Sequence, residues 1–366
     1  MIALLSLCAV SHAATVSSSA THALTSRADS AGYAWGGNTT GQLGDPSAGT
    51  YEAEPLLALA AGEATAVAAG NGFSLVLDST GVVWAFGRNH KGQLGDGSTA
   101  DHTTPAEVSG LSHVTAIAAG GSHGLALLDD GTVQSWGANT YGQLGDGSTT
   151  DRSTPVTVSG LDSVIAIAAG QDSSYALTAT GTVYAWGSNG YGGLGIGSWS
   201  DKTTPQKITT LSNIRAITAG VTHAAAITAG GAVYAWGGNF SGQLGDGTTT
   251  TRTSPVLISG LSQVVDLTAG AYFTAALSAD GTVQTWGSNS HGQLCDGTTT
   301  SRTSPGAILS LSATAIDLES GSTSSNLFLR LADGDLDACG HNWSGNLGIG
   351  TYTAGSSTPV TVTPAW

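Results

Sequence analysis

The stretch from Val114 to Val158 alternates in a way that predicts strands throughout. Val114-Thr115-Ala116-Ile117-Ala118-Ala119-Gly120 is a run of small and β-branched residues, and Leu125-Ala126-Leu127 returns after a short turn that contains His123. Asp130-Gly131 is a two-residue hairpin signal, and Val133-Gln134-Ser135-Trp136 alternates again. A polar loop ending in Thr154-Pro155 then leads into Val156-Thr157-Val158. The unit is four short strands with no helical periodicity.

The same unit recurs along the chain. The string WGANTYGQLGDG at 136–147 has close copies beginning at Trp35, Phe86, Trp186, Trp236, Trp286 and Cys339, so the successive steps are 51, 50, 50, 50, 50 and 53 residues. Each four-stranded unit is too small to bury its own face, and seven of them predict an all-β, seven-bladed β-propeller with about four strands per blade. A partial opening strand around Ala14 to Ser19 and an orphan start of a further repeat at Thr358-Pro359-Val360-Thr361-Val362 suggest closure by pairing of the N- and C-terminal segments in one blade. Such closure would remove exposed sheet edges.

Composition narrows the function classes. Gly, at 54 of 366 residues, is about twice ordinary usage, while apolar content stays globular. Ten Lys and Arg against 25 Asp and Glu give a formal charge of −15, which opposes a phosphate backbone and anionic membranes and leaves nucleic acid out of the expected partners. Residues 1–14, MIALLSLCAVSHAA, read as a secretory signal cleaved near Ala13 or Ala14, although no Lys or Arg precedes the apolar run and a buried strand is the alternative. Residues 15–366 then form a single propeller domain, secreted or periplasmic, with no membrane insertion because no later run approaches the ~18 apolar residues of a span. Cleavage would also remove Cys8. Cys295 and Cys339, each replacing a motif residue in neighbouring repeats, are either one disulfide or two free thiols.

Small-small-Gly, two residues, His, LAL, a DG turn, VxxWGxN and GQLGDG resemble the repeats of the regulator of chromosome condensation family over essentially all of the mature chain. The resemblance implies a seven-bladed propeller. It also brings in two family roles, guanine-nucleotide exchange on a small GTPase and, among secreted bacterial members, inhibition of an enzyme (β-lactamase). This chain departs from the pattern at Phe86 and Cys339 for Trp, Gly193 and Asn346 for Gln, and Ile196 and Ile349 for Asp.

The motif itself reads as frame: Trp fills the wedge between blades, Gly permits positive φ, and Asn ties a turn. Gly120-Gly121-Ser122-His123-Gly124 satisfies GxSxG, but Ser122 lies between two strands, where a nucleophile elbow needs a strand turning into a helix. Gly190-Tyr191-Gly192-Gly193-Leu194-Gly195 satisfies GxGxxG with no helix to follow. His22, His123 and His223 share a position that Phe73 and Phe273 occupy elsewhere, which indicates packing, not metal ligation. The pairs Asp96 with Asp101 and Asp146 with Asp151 lapse in other repeats and are expected to form local ion pairs with the basic residue that follows, Arg152, Lys202, Arg252 or Arg302. No catalytic set, cofactor or metal is expected.

What varies between repeats is two dipeptides, one after small-small-Gly and one inside NxxG, two strands apart and therefore on one face, with the DG turns on the other. On that face Tyr141, Tyr191, Phe240, Tyr272, His291 and Trp343 are predicted to form an aromatic arc over blades three to seven that engages a partner. The expected function is a secreted, monomeric, non-enzymatic binding propeller for a protein or glycan. Guanine-nucleotide exchange or inhibition of an enzyme is the alternative.

Overall fold

The computed structural model describes residues 16–26, 31–59 and 64–363, and all of their regular structure is strand. The predicted signal at 1–14 lies outside the described residues. Seven antiparallel four-stranded sheets span 16–59, 64–107, 114–157, 164–207, 214–257, 264–307 and 315–361, each with its strands in sequence order. The chain is a seven-bladed β-propeller.

Blade three shows why these residues form these strands. Val114–Ala119 lines the central channel, and its small side chains suit the crowded axis. His123–Leu128 and Val133–Gly137 follow, buried almost throughout, with Leu125 opposite Ser135 and Gly124 opposite Trp136. The outermost strand begins at Arg152, so Thr154-Pro155, read above as loop, lies inside strand Arg152–Thr157. Pro155 is tolerated there because the strand is an edge, paired on one side only and irregular in register between Ser135 and Gly137.

The core lies between blades. Trp136 is fully buried against blade two, in a cluster with Leu75, Val83, Leu94 and Val108, and its Nε1–H donates to the Gln93 carbonyl at 2.9 Å. Trp186, Trp236, Trp286 and Trp35 repeat that bond onto Gln143, Gly193, Gln243 and Asn346. The loop after the motif adds a backbone bond to the next outermost strand, as in Gly147 N–H to the Thr203 carbonyl at 3.0 Å. At the joint from blade one to blade two Pro46 occupies the donor's position and has no N–H to give.

Closure differs in one respect from the expectation. The first and last blades do meet, but among the described residues no strand is exchanged: Val16–Ser18 stays in blade one and Gly355–Thr361 in blade seven. Blade seven meets blade one as any neighbours meet, through Trp35 buried with Phe328, Leu347 and Val362, and through Gly350 N–H to the Ala53 carbonyl at 2.8 Å. The segment 358–362 completes blade seven's own edge.

The joint between blades six and seven has its own chemistry. Elsewhere the Gly that follows the motif Leu lies directly against the next blade's aromatic ring; a Cβ on Gly145 (φ +67°) would stand 2.8 Å from Trp186 Nε1. Here Cys339 replaces the Trp and Cys295 replaces the Gly, and the two form a disulfide with Cα atoms 5.6 Å apart. Cys295 keeps the positive φ of the glycine it replaces, 54°.

Candidate functional site

The two variable dipeptides share one face, as the strand count requires. The turns after small-small-Gly hydrogen-bond from blade to blade: Gly121 N–H to Gln171 O at 2.8 Å, Val221 N–H to Ala271 O at 3.2 Å, Ala271 N–H to Ser324 O at 2.7 Å. Each turn is also tied to the motif of its own blade, for example Ser188 N–H to Asp172 O at 2.8 Å and Gly238 N–H to Thr222 O at 2.9 Å.

The NxxG turns are held from inside. Asn139 is fully buried; its Oδ1 accepts Leu144 N–H at 3.0 Å and its Nδ2 reaches Thr150 O at 3.1 Å. Gln143 Oε1 accepts Tyr141 N–H at 2.9 Å, and Gln42, Gln93, Gln243 and Gln293 repeat the contact. Rigid turns of this kind present their free side chains in fixed positions.

Three of the six predicted aromatics converge. Tyr191, Phe240 and Tyr272 stand around a cavity of about 300 Å³ spanning blades four to six, with Gln171, Asp172, Ser188, Gly193 and Thr222 among its walls. Tyr191 and Phe240 meet edge to face with ring centres 5.5 Å apart, and both remain at least half exposed, at 50% and 62%. His291 and Trp343 belong to a second cluster around blades six and seven, joined by His341: ring centres are 5.1 Å apart for His291 and His341, and 5.3 Å for His341 and Trp343. Burial, then the neighbouring His291, lowers the His341 pKa. Tyr141 is exposed and makes no ring contact among the described residues. The arc is therefore two clusters and an outlier.

Three contributors were not assigned to the site from sequence. Asp172 belongs to the variable series, but its depth is set by the fold: burial raises its pKa, against a hydrogen bond from Gln171. His341 occupies the x of WGxN, a third variable position whose side chain reaches the same surface. Gly193, a departure from the motif Gln, leaves out the side chain that five other repeats bury at this point.

The remaining candidates serve the frame. His22, His123 and His223 are buried, and each places Nε2 on a hydroxyl of the next blade: Ser74 at 2.7 Å, Ser174 at 2.9 Å, Thr274 at 3.0 Å. Those hydroxyls give their single proton to the carbonyls of Gln42, Gln143 and Gln243, so the imidazole must donate through Nε2–H. Burial depresses the His pKa to about 3 for His22 and about 4 for His123 and His223.

Among the described residues Ser122 has no histidine partner, since His123 turns to Ser174. Asp146, Asp246 and Asp296 pair with Arg152, Arg252 and Arg302, whereas the repeat of Lys202 carries Ile196 at the position of the acid. Asp101, Asp151 and Asp201 each accept the N–H of the motif Asn. Around the axis, burial and the adjacent Asp317 raise Asp266 to about 6.

Comparison with known proteins agrees with this architecture. A sequence model of the RCC1-like domain matches residues 5–215, and models of the regulator of chromosome condensation (RCC1) repeat match 230–277 and, separately, 214–243 and 264–293. Protein RCC2 of Mus musculus is 39% identical over 93 residues, 25% of this chain and 18% of that protein, so the match spans under a fifth of that relative's length. The crystal structure of human WBSCR16 superposes with a TM-score of 0.76 at 26% identity, covering 84% of this chain and 83% of that one. Prp20p from Saccharomyces cerevisiae superposes with a TM-score of 0.80 at 22% identity, covering 90% and 85%, a likeness of fold. With the family model covering more than half of its length and seven repeats in register, this chain belongs to the RCC1-like domain family.

Proposed function

We propose that this propeller is a secreted, non-enzymatic binding module that engages a protein or glycan through the variable turns of one face. The observation that carries the reading is the convergence of Tyr191, Phe240 and Tyr272 on one walled cavity, on the face where both variable series meet. Exposed aromatics on rigid turns bring large contact area at low entropic cost. The Cys295–Cys339 disulfide supports an oxidising compartment, in keeping with removal of a signal at 1–14.

The test uses the folded ring as bait in a native extracellular extract, beside a variant with Tyr191, Phe240 and Trp343 changed to Ala. Loss of a specific partner by the variant is the expected result; unchanged capture overturns the assignment of the face. Sequencing the mature N-terminus tests secretion, and cytosolic protein retaining Met1 overturns it. The fold shared with Prp20p, whose structure was described with its binding to Gsp1p and histones, favours a second reading, exchange on a small GTPase. Nucleotide release from such a GTPase accelerated by the ring would establish that reading in place of the first.

A further inference from the structure

We propose that the cavity beneath Tyr191, Phe240 and Tyr272 is a socket for one guanidinium side chain, an arginine of the protein partner. The proposal rests on the reading of this face as a binding surface and names the chemistry of its deepest contact.

The socket exists because one motif residue is missing. In five repeats the position of Gly193 is a buried Gln that fills the space under its own NxxG turn. At Gly193 there is no side chain, and the carbonyl is already occupied by Tyr175 O–H at 2.6 Å and Trp236 Nε1–H at 2.8 Å. The opening of about 300 Å³ suits one side chain, not a peptide segment.

What the walls offer without a charged partner is a carboxylate acceptor. Asp172 has no Lys, Arg or His within ion-pair distance among the described residues; its partners are the neutral amides of Gln171 at 3.3 Å and Gln143 at 3.5 Å. Thr222 Oγ1 is buried without a hydrogen-bond partner. Burial holds the Asp172 carboxyl above its ordinary pKa, and a cation beside it would reverse that.

Guanidinium matches this lining, since it brings five donors and no acceptor, forks onto a carboxylate and lies flat on aromatic faces. An ammonium would satisfy the charge without the stacking. A saccharide hydroxyl needs acceptors and donors together. The chain's formal charge of −15 further favours a cationic partner.

The experiment is a titration of the intact ring with Nα-acetyl-arginine amide, read by calorimetry and by the ring resonances of Tyr191, Phe240 and Tyr272. Nα-acetyl-citrulline amide serves as the neutral isostere and N,N′-diacetylchitobiose as the saccharide control. Saturable binding of the arginine compound is expected, weakened about tenfold or more by Asp172→Asn or by the citrulline exchange. Gly193→Gln, which restores the residue the other repeats carry, is expected to fill the socket and abolish binding with the fold intact. Equal binding of citrulline, indifference to Asp172→Asn, or no saturable binding by arginine overturns the proposal, and saturation by the disaccharide alone replaces it with a glycan site. If partner capture depends on Tyr191 and Phe240 but not on Asp172, the socket fails while the face stands; if it depends on none of them, both fail.

Discussion

At the scale of the residue, the frame rests on an indole and a glycine that touch across five of the seven joints. Trp186 is fully buried and its Nε1–H satisfies a carbonyl of the preceding blade, so two contributions coincide in one side chain. Trp186→Ala is expected to cost about 3–5 kcal/mol in denaturant unfolding. Trp186→Phe keeps most of the apolar area and forfeits the hydrogen bond, for about 1–2 kcal/mol. Phe86 shows that a ring without a donor is tolerated, because Ser74 already gives a proton to the Gln42 carbonyl it would have used. Equal costs for the two substitutions would contradict this division. The Trp and Gly roles were legible in the sequence, since their spacing repeats. The consequence of Gly193 was not, because a missing side chain becomes a cavity only when the turns around it are in place.

At the scale of the blade and its joints, Cys295 and Cys339 form a coupled exchange: the small residue grew where the large one was lost. Cys339→Trp alone should be strongly destabilising, because the indole would arrive where the Cys295 side chain stands. Cys295→Gly with Cys339→Trp should recover much of that loss by rebuilding the joint found elsewhere, leaving a large coupling energy in a double-mutant cycle; additive effects would contradict the account. Reduction opens a loop with a sequence separation of 44 and is expected to lower stability, by up to about 4 kcal/mol on chain-entropy grounds, measured by urea unfolding with and without reductant. Strand order within a blade was legible from alternation and hairpin signals. The extent of the outermost strand was not, since a Pro in Arg152–Thr157 signals a loop unless the strand is known to be an edge. The mode of closure was hidden for a related reason: a repeat of about 50 residues can be cut at any phase, and only the pairing of Gly355–Thr361 within blade seven selects one.

At the scale of the molecule, the ring is tied by neutral histidines as well as by packing. His22, His123 and His223 have folded pKa values of about 3, 4 and 4, below the ordinary 6.5. Their contribution is fully present above pH 6.5 and is lost as pH falls toward 4, because the unfolded chain takes up the protons first. Asp266 works in the opposite sense, its folded pKa raised to about 6, so its contribution is present at low pH and is lost as pH rises through that value. The histidine effect is isolated by difference: His123→Phe, the residue found at Phe73 and Phe273, should flatten the fall in melting temperature between pH 6.5 and 4 relative to the parent. An unchanged slope would contradict the assignment of a neutral, buried imidazole.

In the proposed function the turns bearing Tyr191, Phe240 and Tyr272 form the binding face and the DG turns do not. Amide hydrogen exchange of the ring, free and bound to its captured partner, tests it most directly. Protection concentrated at 171–173, 188–193, 221–222, 238–241 and 271–272 is the predicted result. Protection confined to the hairpin turns around Asp130-Gly131 and Asp280-Gly281, with those segments unchanged, would contradict it.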